Sequence, residues 1–521
     1  MKMPLQFRER NVVKKDWRKV QLRIALCYPN AYRVGMTSLA VHLLYAQFNA
    51  NPAVACERVF YVPGEAPRSL ESGQPLSEFD VVAFSLQFET DFVHVVEMLV
   101  RSGVPPLAAN RKRPWVLVGG PCALSNPFPL LPFTDVVQVG DIEPVYTQLL
   151  DALLTAKSQE DLNDRLDNHF LLSEKAQATR AYITDLDSAF HPICQVLPEP
   201  PFPPELEPTF GQSLLVEISR GCDRRCNFCM TGYQTSPCRE RTLGTLNRLI
   251  DEGTRCTVVD KVALLASGFI DHSELVPLLT MIVDKGHQLS VPSLRADLPN
   301  PEILPPIFQG GQRTLTFAPE AGSERLRTLI GKSIPDDTFL QTFESALDVG
   351  FSQFKLYFMV GLPTETDDDV AAIHDFCLRL LALTDRSHRI HVSVSPFIPK
   401  PHTPYQWLGL SPLKTLKKRL QILENLRRYG RIQLDLPNPR WAVIQTVLSR
   451  GSSNLAPLLL EIAQQEKITA GTWFQTGKQL GLNLESLATA DYSTDTTFSW
   501  DRIDVGINRN ILLRRFANLD Q

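Results

Sequence analysis

RGCDRRCNFCMTGYQTSPC, residues 220–238, holds four of the chain's ten cysteines. Cys222, Cys226 and Cys229 fall at spacing i, i+4, i+7, which is one face of a helix. The residues around them, Gly221, Asp223, Arg224, Arg225 and Asn227, are instead loop chemistry at a strand end. Three readings of the triplet stand. Three small thiols can pack a core. With Cys238 as a fourth ligand they can hold structural zinc, although such sites usually come as two separated Cys-x-x-Cys knuckles. Or they can hold three corners of a four-iron cluster and leave the fourth iron open to a small molecule. In that last reading Cys238 is spare, and Arg224 and Arg225 partly offset the negative charge.

Outward from the triplet, "SLLVEISRG" (213–221) reads as a buried strand leading into it. Further strands are expected over 261–268, 288–295, 313–320, 354–363 and 389–399, with helical patterns between them. Six strands in strand–helix alternation suit a β/α barrel, complete or partial, whose chemistry lies on loops after the strand C-termini. An earlier series, with strands over 22–29, 80–87, 114–121 and 135–141 and helical periodicity over 34–48, argues for a doubly wound parallel sheet. "LPEPPFPPELEP" (197–208) is a semi-rigid, proline-rich boundary. The fold class is therefore α/β: a Rossmann-like sheet over 15–157, a linker over 158–210, a partial TIM barrel over 211–400, and a mostly helical extension over 401–521. In that extension 411–430 reads as a basic amphipathic helix. Leu416, Leu420, Leu423 and Leu426 line one face, with Lys417, Lys418, Arg419, Arg427 and Arg428 mostly elsewhere.

The 521 residues carry a net charge of -4, which gives no general attraction to nucleic acid or anionic membrane. The charged N-terminus has no apolar core segment, so it does not read as a secretory signal. No run of about 18 apolar residues appears, so a membrane span is not expected. The expected location is the cytoplasm, where clustered cysteines point to metal or redox chemistry more than to disulfides.

The stretch Cys222, Cys226, Phe228, Cys229 resembles the radical S-adenosylmethionine (SAM) superfamily signature, Cys-x-x-x-Cys-x-aromatic-Cys. The resemblance runs from about residue 213 to 399. It implies a 4Fe-4S cluster held by Cys222, Cys226 and Cys229, whose open iron binds SAM. It also implies reductive cleavage of SAM to methionine and a 5′-deoxyadenosyl radical, with a low-potential electron donor and an unknown substrate as partners. The SAM-binding residues it implies are Phe228, Gly268, Ser293, Arg295, Glu320, Gly322, Ser323, Gly361 and Phe397, with Arg327 a second partner for the SAM carboxylate. The family's acidic residue beside Gly268 is missing from Ala266-Ser267-Gly268.

The first sheet resembles the cobalamin-binding-type domain that precedes many such barrels. Ser85, Gly119 and Gly120 match its pattern. Tyr32 stands where a cobalt-ligating histidine would be, and a phenol is a poor substitute for imidazole. The resemblance implies hydrogen abstraction, with cobalamin-dependent methyl transfer as an extension. Two alternatives remain. One is a methylthiotransferase acting on tRNA or protein, which would need a second cluster on Cys27, Cys56 and Cys122. The other is a non-enzymatic, metal-stabilised or iron–sulfur sensor protein.

Overall fold

Short apolar runs alternate with amphipathic helices twice along the chain, and each series forms its own parallel sheet. The computed structural model describes residues 7–298 and 300–520. The first six residues of the charged N-terminal stretch lie outside that range. The first sheet contains β1 (Leu22–Tyr28), β2 (Val54–Phe60), β3 (Val81–Ser85), β4 (Trp115–Gly119), β5 (Val136–Gln138) and β6 (Phe170–Leu171). Their order is β2-β1-β3-β4-β5-β6. All pairs are parallel except β5 with β6. Helices α1 (Leu39–Ala50) and α2 (Tyr146–Thr155) pack against it. The strand order reverses between β1 and β3, which leaves a crevice at the strand C-termini.

The four strands expected in this region are present, but β2 was not foreseen, nor was β6, which lies in the stretch expected to be a linker and pairs antiparallel with β5. The β2 sequence, VACERVF, looks polar in the middle, yet all seven residues are buried. Burial is tolerated because the charges are paired. Arg58 meets Glu9 and Glu71, each at 2.8 Å, and Glu57 accepts from the Trp17 indole N–H at 2.8 Å. The helix expected over 34–48 is a short turn, Tyr32–Gly35, followed by α1.

The second sheet contains β7 (Leu214–Glu217), β8 (Lys261–Leu265), β9 (Gln288–Ser290), β10 (Thr314–Glu320), β11 (Gln353–Val360), β12 (Arg389–Pro396) and β13 (Ile432–Asp435). The six expected strands are all here. The seventh, β13, lies in the stretch expected to be a helical extension and pairs parallel with β12. The ladders β7-β8-β9 and β10-β11-β12-β13 meet at one parallel bridge, Leu294 to Phe317. Four helices matter below: α3 (Leu243–Thr257), α4 (Glu324–Leu329), α5 (Asp367–Ala382) and α6 (Leu413–Leu423). A last helix, α7 (Arg509–Ala517), lies near the C-terminus.

Among the described residues no ladder joins β7 to β13, so the arc is open. The free edge of β7 is satisfied in another way. The Gln195 side-chain amide accepts from Leu215 N–H at 2.9 Å and donates to its carbonyl at 2.7 Å. His191 Nε2 accepts from Glu217 N–H at 3.3 Å. The segment before the sheet thus covers the edge that a closing strand would have used. A disulfide between Cys194 and Cys256 ties that segment to the end of α3.

The basic stretch over 411–430 is α6 followed by a 3-10 turn over Glu424–Arg428. Leu416, Leu420, Leu423 and Leu426 are buried as the periodicity required. Arg419 departs from its expected outer position: it is buried, and Nη1 pairs with Glu365 at 2.8 Å. Burial pushes the Glu365 carboxyl up to about 7, outweighing the Gly361 N–H and the Arg419 charge, both of which pull it down. The folded chain therefore holds this proton more tightly than the unfolded chain, whose carboxyl titrates at 4.5. Its contribution to stability is full below that value and is lost as pH rises toward about 7. Thermal melts at pH 5 and pH 8 check this: the wild-type Tm should fall further between the two than that of Glu365→Gln, whose side chain does not titrate.

Candidate functional site

After β7 the chain makes a two-residue antiparallel pair, Ser219 with Glu240 and Arg220 with Arg239. Everything between is one excursion, a loop with a short helix over Thr231–Gln234, standing at the C-terminal end of the second sheet. Gly221 has φ +90°, and a Cβ there would lie 2.3 Å from the Thr235 carbonyl oxygen. Only glycine lets the two feet of the loop approach so closely. Cys238 belongs to the returning foot. Its N–H donates to Asp223 Oδ2 at 3.0 Å, and burial, with nearby carboxylates, pushes its thiol up to about 11.

Cys226 is buried, while Cys222 and Cys229 are half-buried. Burial pushes the Cys222 and Cys226 thiols up, and repulsion from Cys229 adds to both. Lys332 and Arg295 pull Cys226 back down. Among the described residues no three His, Cys, Asp or Glu side chains close on one point as a single ion would require. The donor set is three soft thiols spread around one loop and flanked by cations, which fits a multi-iron cluster.

Each neighbouring strand end delivers a residue to this loop. After β8, Gly268 presses on it: a Cβ there would lie 3.7 Å from Cys222 Sγ. After β9, Arg295 places Nη1 3.9 Å from Cys226 Sγ and is held by Asp297 at 2.8 Å. At the end of β10, Glu320 sits at φ +70° and pairs with Lys332 at 2.9 Å. Phe228 packs in a cluster with Leu362, Phe397 and Tyr405, so the ends of β11 and β12 meet the third cysteine's side of the loop.

The remaining expected residues have visible structural duties. Gly322 lies where a Cβ would be 2.3 Å from Ile373 N, so it admits α5 to close contact. Ser323 caps α4 and donates to Asp369. Gly361 has φ +84° and faces Leu416 of α6. Ser293 is exposed on the loop after β9. Arg327 is 1% exposed and spent on Asp336 and the carbonyls of Ala321, Gly322 and Ile334. It is therefore a packing residue and not the carboxylate contact the resemblance suggested. Arg224 is likewise taken, by Asp271.

Sequence reasoning missed Asp271, Asp297 and Lys332. Asp271 places a carboxylate beside Gly268, where the acidic residue had been found missing. The available signal was proximity in sequence: Asp271 follows Gly268 by three residues and Asp297 follows Arg295 by two.

A cavity of about 410 Å3 opens between the two sheets. Ser85, Gly119 and Gly120 line it from the first sheet, and Gly221, Met230 and Ser267 from the second. Its lining is largely apolar, with Leu39, Leu43 and Phe48 of α1 and Leu149 of α2. Gly120 has φ +103° and comes so close to Leu86 that a Cβ would lie 2.6 Å from its carbonyl oxygen. Tyr32 does not line the cavity; its hydroxyl donates to Glu9 at 2.8 Å. The residues fit a planar, largely apolar cofactor with a polar rim.

Residues 216–377 match the radical SAM superfamily, and residues 40–183 match the family of radical SAM protein N-terminal regions. An uncharacterised protein of Methanocaldococcus jannaschii is 32% identical over 447 residues, 85% of this chain and 91% of that one. The ribosomal protein uS12 methylthiotransferase RimO of Thermus thermophilus is 26% identical over 219 residues, 37% of this chain and 50% of its own. Among solved structures, the radical SAM methyltransferase TsrM from Kitasatospora setae, with cobalamin and a [4Fe-4S] cluster bound, shares the fold. Its TM-score is 0.53 at 11% identity, over 88% of this chain and 98% of that one. The open arc of parallel strands, the three-cysteine loop at its C-terminal end and these matches have one account: the chain belongs to the radical SAM superfamily of enzymes.

Proposed function

We propose that this protein holds a 4Fe-4S cluster on Cys222, Cys226 and Cys229, binds SAM beside it, and transfers a methyl group through a corrinoid seated between its two sheets. The observation that carries the reading is the shared cavity. Ser85, Gly119 and Gly120 reach it from one side, and the residues flanking the cysteine loop reach it from the other. When bound, the cluster supplies an electron for SAM cleavage and the corrinoid a methyl carrier.

The chain's own residues bind and orient. Arg295 and Gly268 stand beside the cysteines; Asp297 occupies Arg295 Nε and Nη2, and the remaining Nη1 edge suits the SAM carboxylate, while Asp271 is already paired with Arg224. Phe228 and Phe397 offer an apolar wall for the adenine. We assign residues 15–157 and 211–400 to the corrinoid-facing and SAM-facing units, the second completed by β13. Among the described residues no helix is long and apolar enough to cross a membrane, and we place the reaction in the cytoplasm.

Methylthio transfer is the weaker reading despite the partial likeness to RimO. Cys27 and Cys56 lie in different apolar cores, on opposite faces of the first sheet. Cys27, Cys56 and Cys122 therefore do not gather into a second cluster site.

Anaerobic reconstitution with iron and sulfide should give about four irons per chain, the content of one cubane cluster. With SAM and a strong reductant it should form 5′-deoxyadenosine, and with cobalamin added also S-adenosylhomocysteine. Replacing Cys222, Cys226 and Cys229 together by alanine should remove the iron and both products. Zinc in place of iron, or 5′-deoxyadenosine from the triple variant, would sink the reading.

Gly119→Leu tests the cavity separately. Its side chain would project toward Gln138, where a Cβ has room and the backbone is unstrained. Gel-filtered protein should retain at least about tenfold less cobalamin, the cost of one badly filled site, with iron content unchanged. Equal cobalamin retention would place the corrinoid elsewhere.

A further inference from the structure

The turn at the second cysteine is held from a distance. Arg225 sits at φ +52°, in the left-handed region that a non-glycine residue occupies only when its surroundings impose it. Its carbonyl accepts from Tyr233 OH at 2.9 Å and from Arg515 Nη1 at 2.7 Å. The same Arg515 nitrogen lies 3.0 Å from Asn227 Oδ1 and 3.3 Å from Tyr233 OH. Asn227 is further tied through its N–H to Ile330 O at 2.8 Å and through its side chain to Leu329 O at 2.9 Å. Cys226 lies between the two residues that Arg515 holds.

Arg515 belongs to α7, almost three hundred residues further along the chain. That helix is seated by Leu512, buried with Tyr233, Trp407, Phe498 and Trp500. Gly232 completes the geometry. A Cβ there would be 2.9 Å from Arg225 Cα, so the short helix carrying Tyr233 can lie directly against the turn.

We propose that Arg515 is a positioning residue for the cluster site, clamping Arg225 and Asn227 so that the Cys226 thiol faces those of Cys222 and Cys229. This rests on the reading of the three cysteines as cluster ligands. The C-terminal helix is then part of the cofactor site although it supplies no ligand. Without the guanidinium, the Arg225 carbonyl loses one of its two donors, and the turn is free to relax to a right-handed conformation that reorients Cys226.

The test compares Arg515→Ala, Arg515→Lys and, as a control on the same helix, Arg514→Ala. Arg514 is exposed and, among the described residues, its side chain bonds to Asn510 O of its own helix alone. In apoprotein, Arg515→Ala should leave the Tm unchanged while the Asn227 amide exchanges about ten- to a hundredfold faster, the worth of a charged hydrogen bond. In reconstituted protein the same variant should lose iron to a chelator faster by a similar factor, with a broadened electron paramagnetic resonance signal of the reduced cluster. Arg515→Lys, which keeps one charged donor, should fall between. Arg514→Ala should match wild type.

Equal exchange and equal iron loss in Arg515→Ala and wild type would overturn the inference, as would equal effects from Arg514→Ala. Should Arg515→Ala lower the apoprotein Tm, Arg515→Gln decides. Loss of iron with Tm retained supports the clamp, and parallel loss of both overturns it. A wild-type protein that takes up no cluster would instead defeat the functional reading, and the apoprotein exchange experiment would still judge the clamp.

Discussion

The arrangement of the two sheets turns on one half-buried guanidinium. Arg220 lies one residue before Gly221 and two before Cys222. It pairs with Glu217 of its own sheet at 2.9 Å, and with Asp141 at 3.1 Å and Glu143 at 2.8 Å from beyond β5 of the other. Burial disfavours its charge, but the carboxylates outweigh burial and hold it well above its usual range. Arg239 adds a second bond to Asp141 at 2.7 Å, and Arg241 stands 3.6 Å from Glu217. The network therefore fixes where the cysteine loop begins relative to the first sheet. The cavity is the space left beside that lock.

The second constraint is that the arc stays open. A closed barrel would pair β7 with a last strand and leave no free edge. Here His191 and Gln195 satisfy β7 from the preceding segment, and the disulfide from Cys194 holds that segment in place. The side of the arc carrying β7 is thus free to face the first sheet. Openness and the placement of the cavity follow from the same few hydrogen bonds.

What the sequence reveals about this site follows from how local each signal is. The cysteine triplet is legible because its spacing, its glycine and its leading strand fit within twenty residues. Six of the seven strands of the second sheet are legible because each is an apolar run ending in a turn. β2 is missed because Glu57 and Arg58 look like solvent-facing residues until Glu9, Glu71 and Trp17 are brought to them by the fold. β13 is short, alternates buried with exposed residues, and follows a basic helix that dominates its surroundings. Arg327 and Arg419 are misread for the converse reason. A charged residue near a strand end suggests a ligand or solvent, and nothing in the local sequence shows that it is buried against carbonyls or a carboxylate. Arg515 has no local signal, since its partners are set by how the last helix docks.

The cavity's chemistry bears on how a corrinoid would be held. The described residues that line it include no histidine, and the Tyr32 position is turned to Glu9. Much of its lining is leucine and Phe48; of the charged residues there, Asp141, Glu143 and Glu217 are each paired with Arg220, and Arg180 donates to the Gln234 and Ser236 carbonyls. A large planar cofactor entering such a site would gain mainly by apolar contact. A corrinoid proposed for this cavity would therefore be held by the polar strand ends at Ser85, Gly119 and Gly120 and by the apolar side chains of α1 and α2, with the Arg220 network fixing the two walls relative to each other.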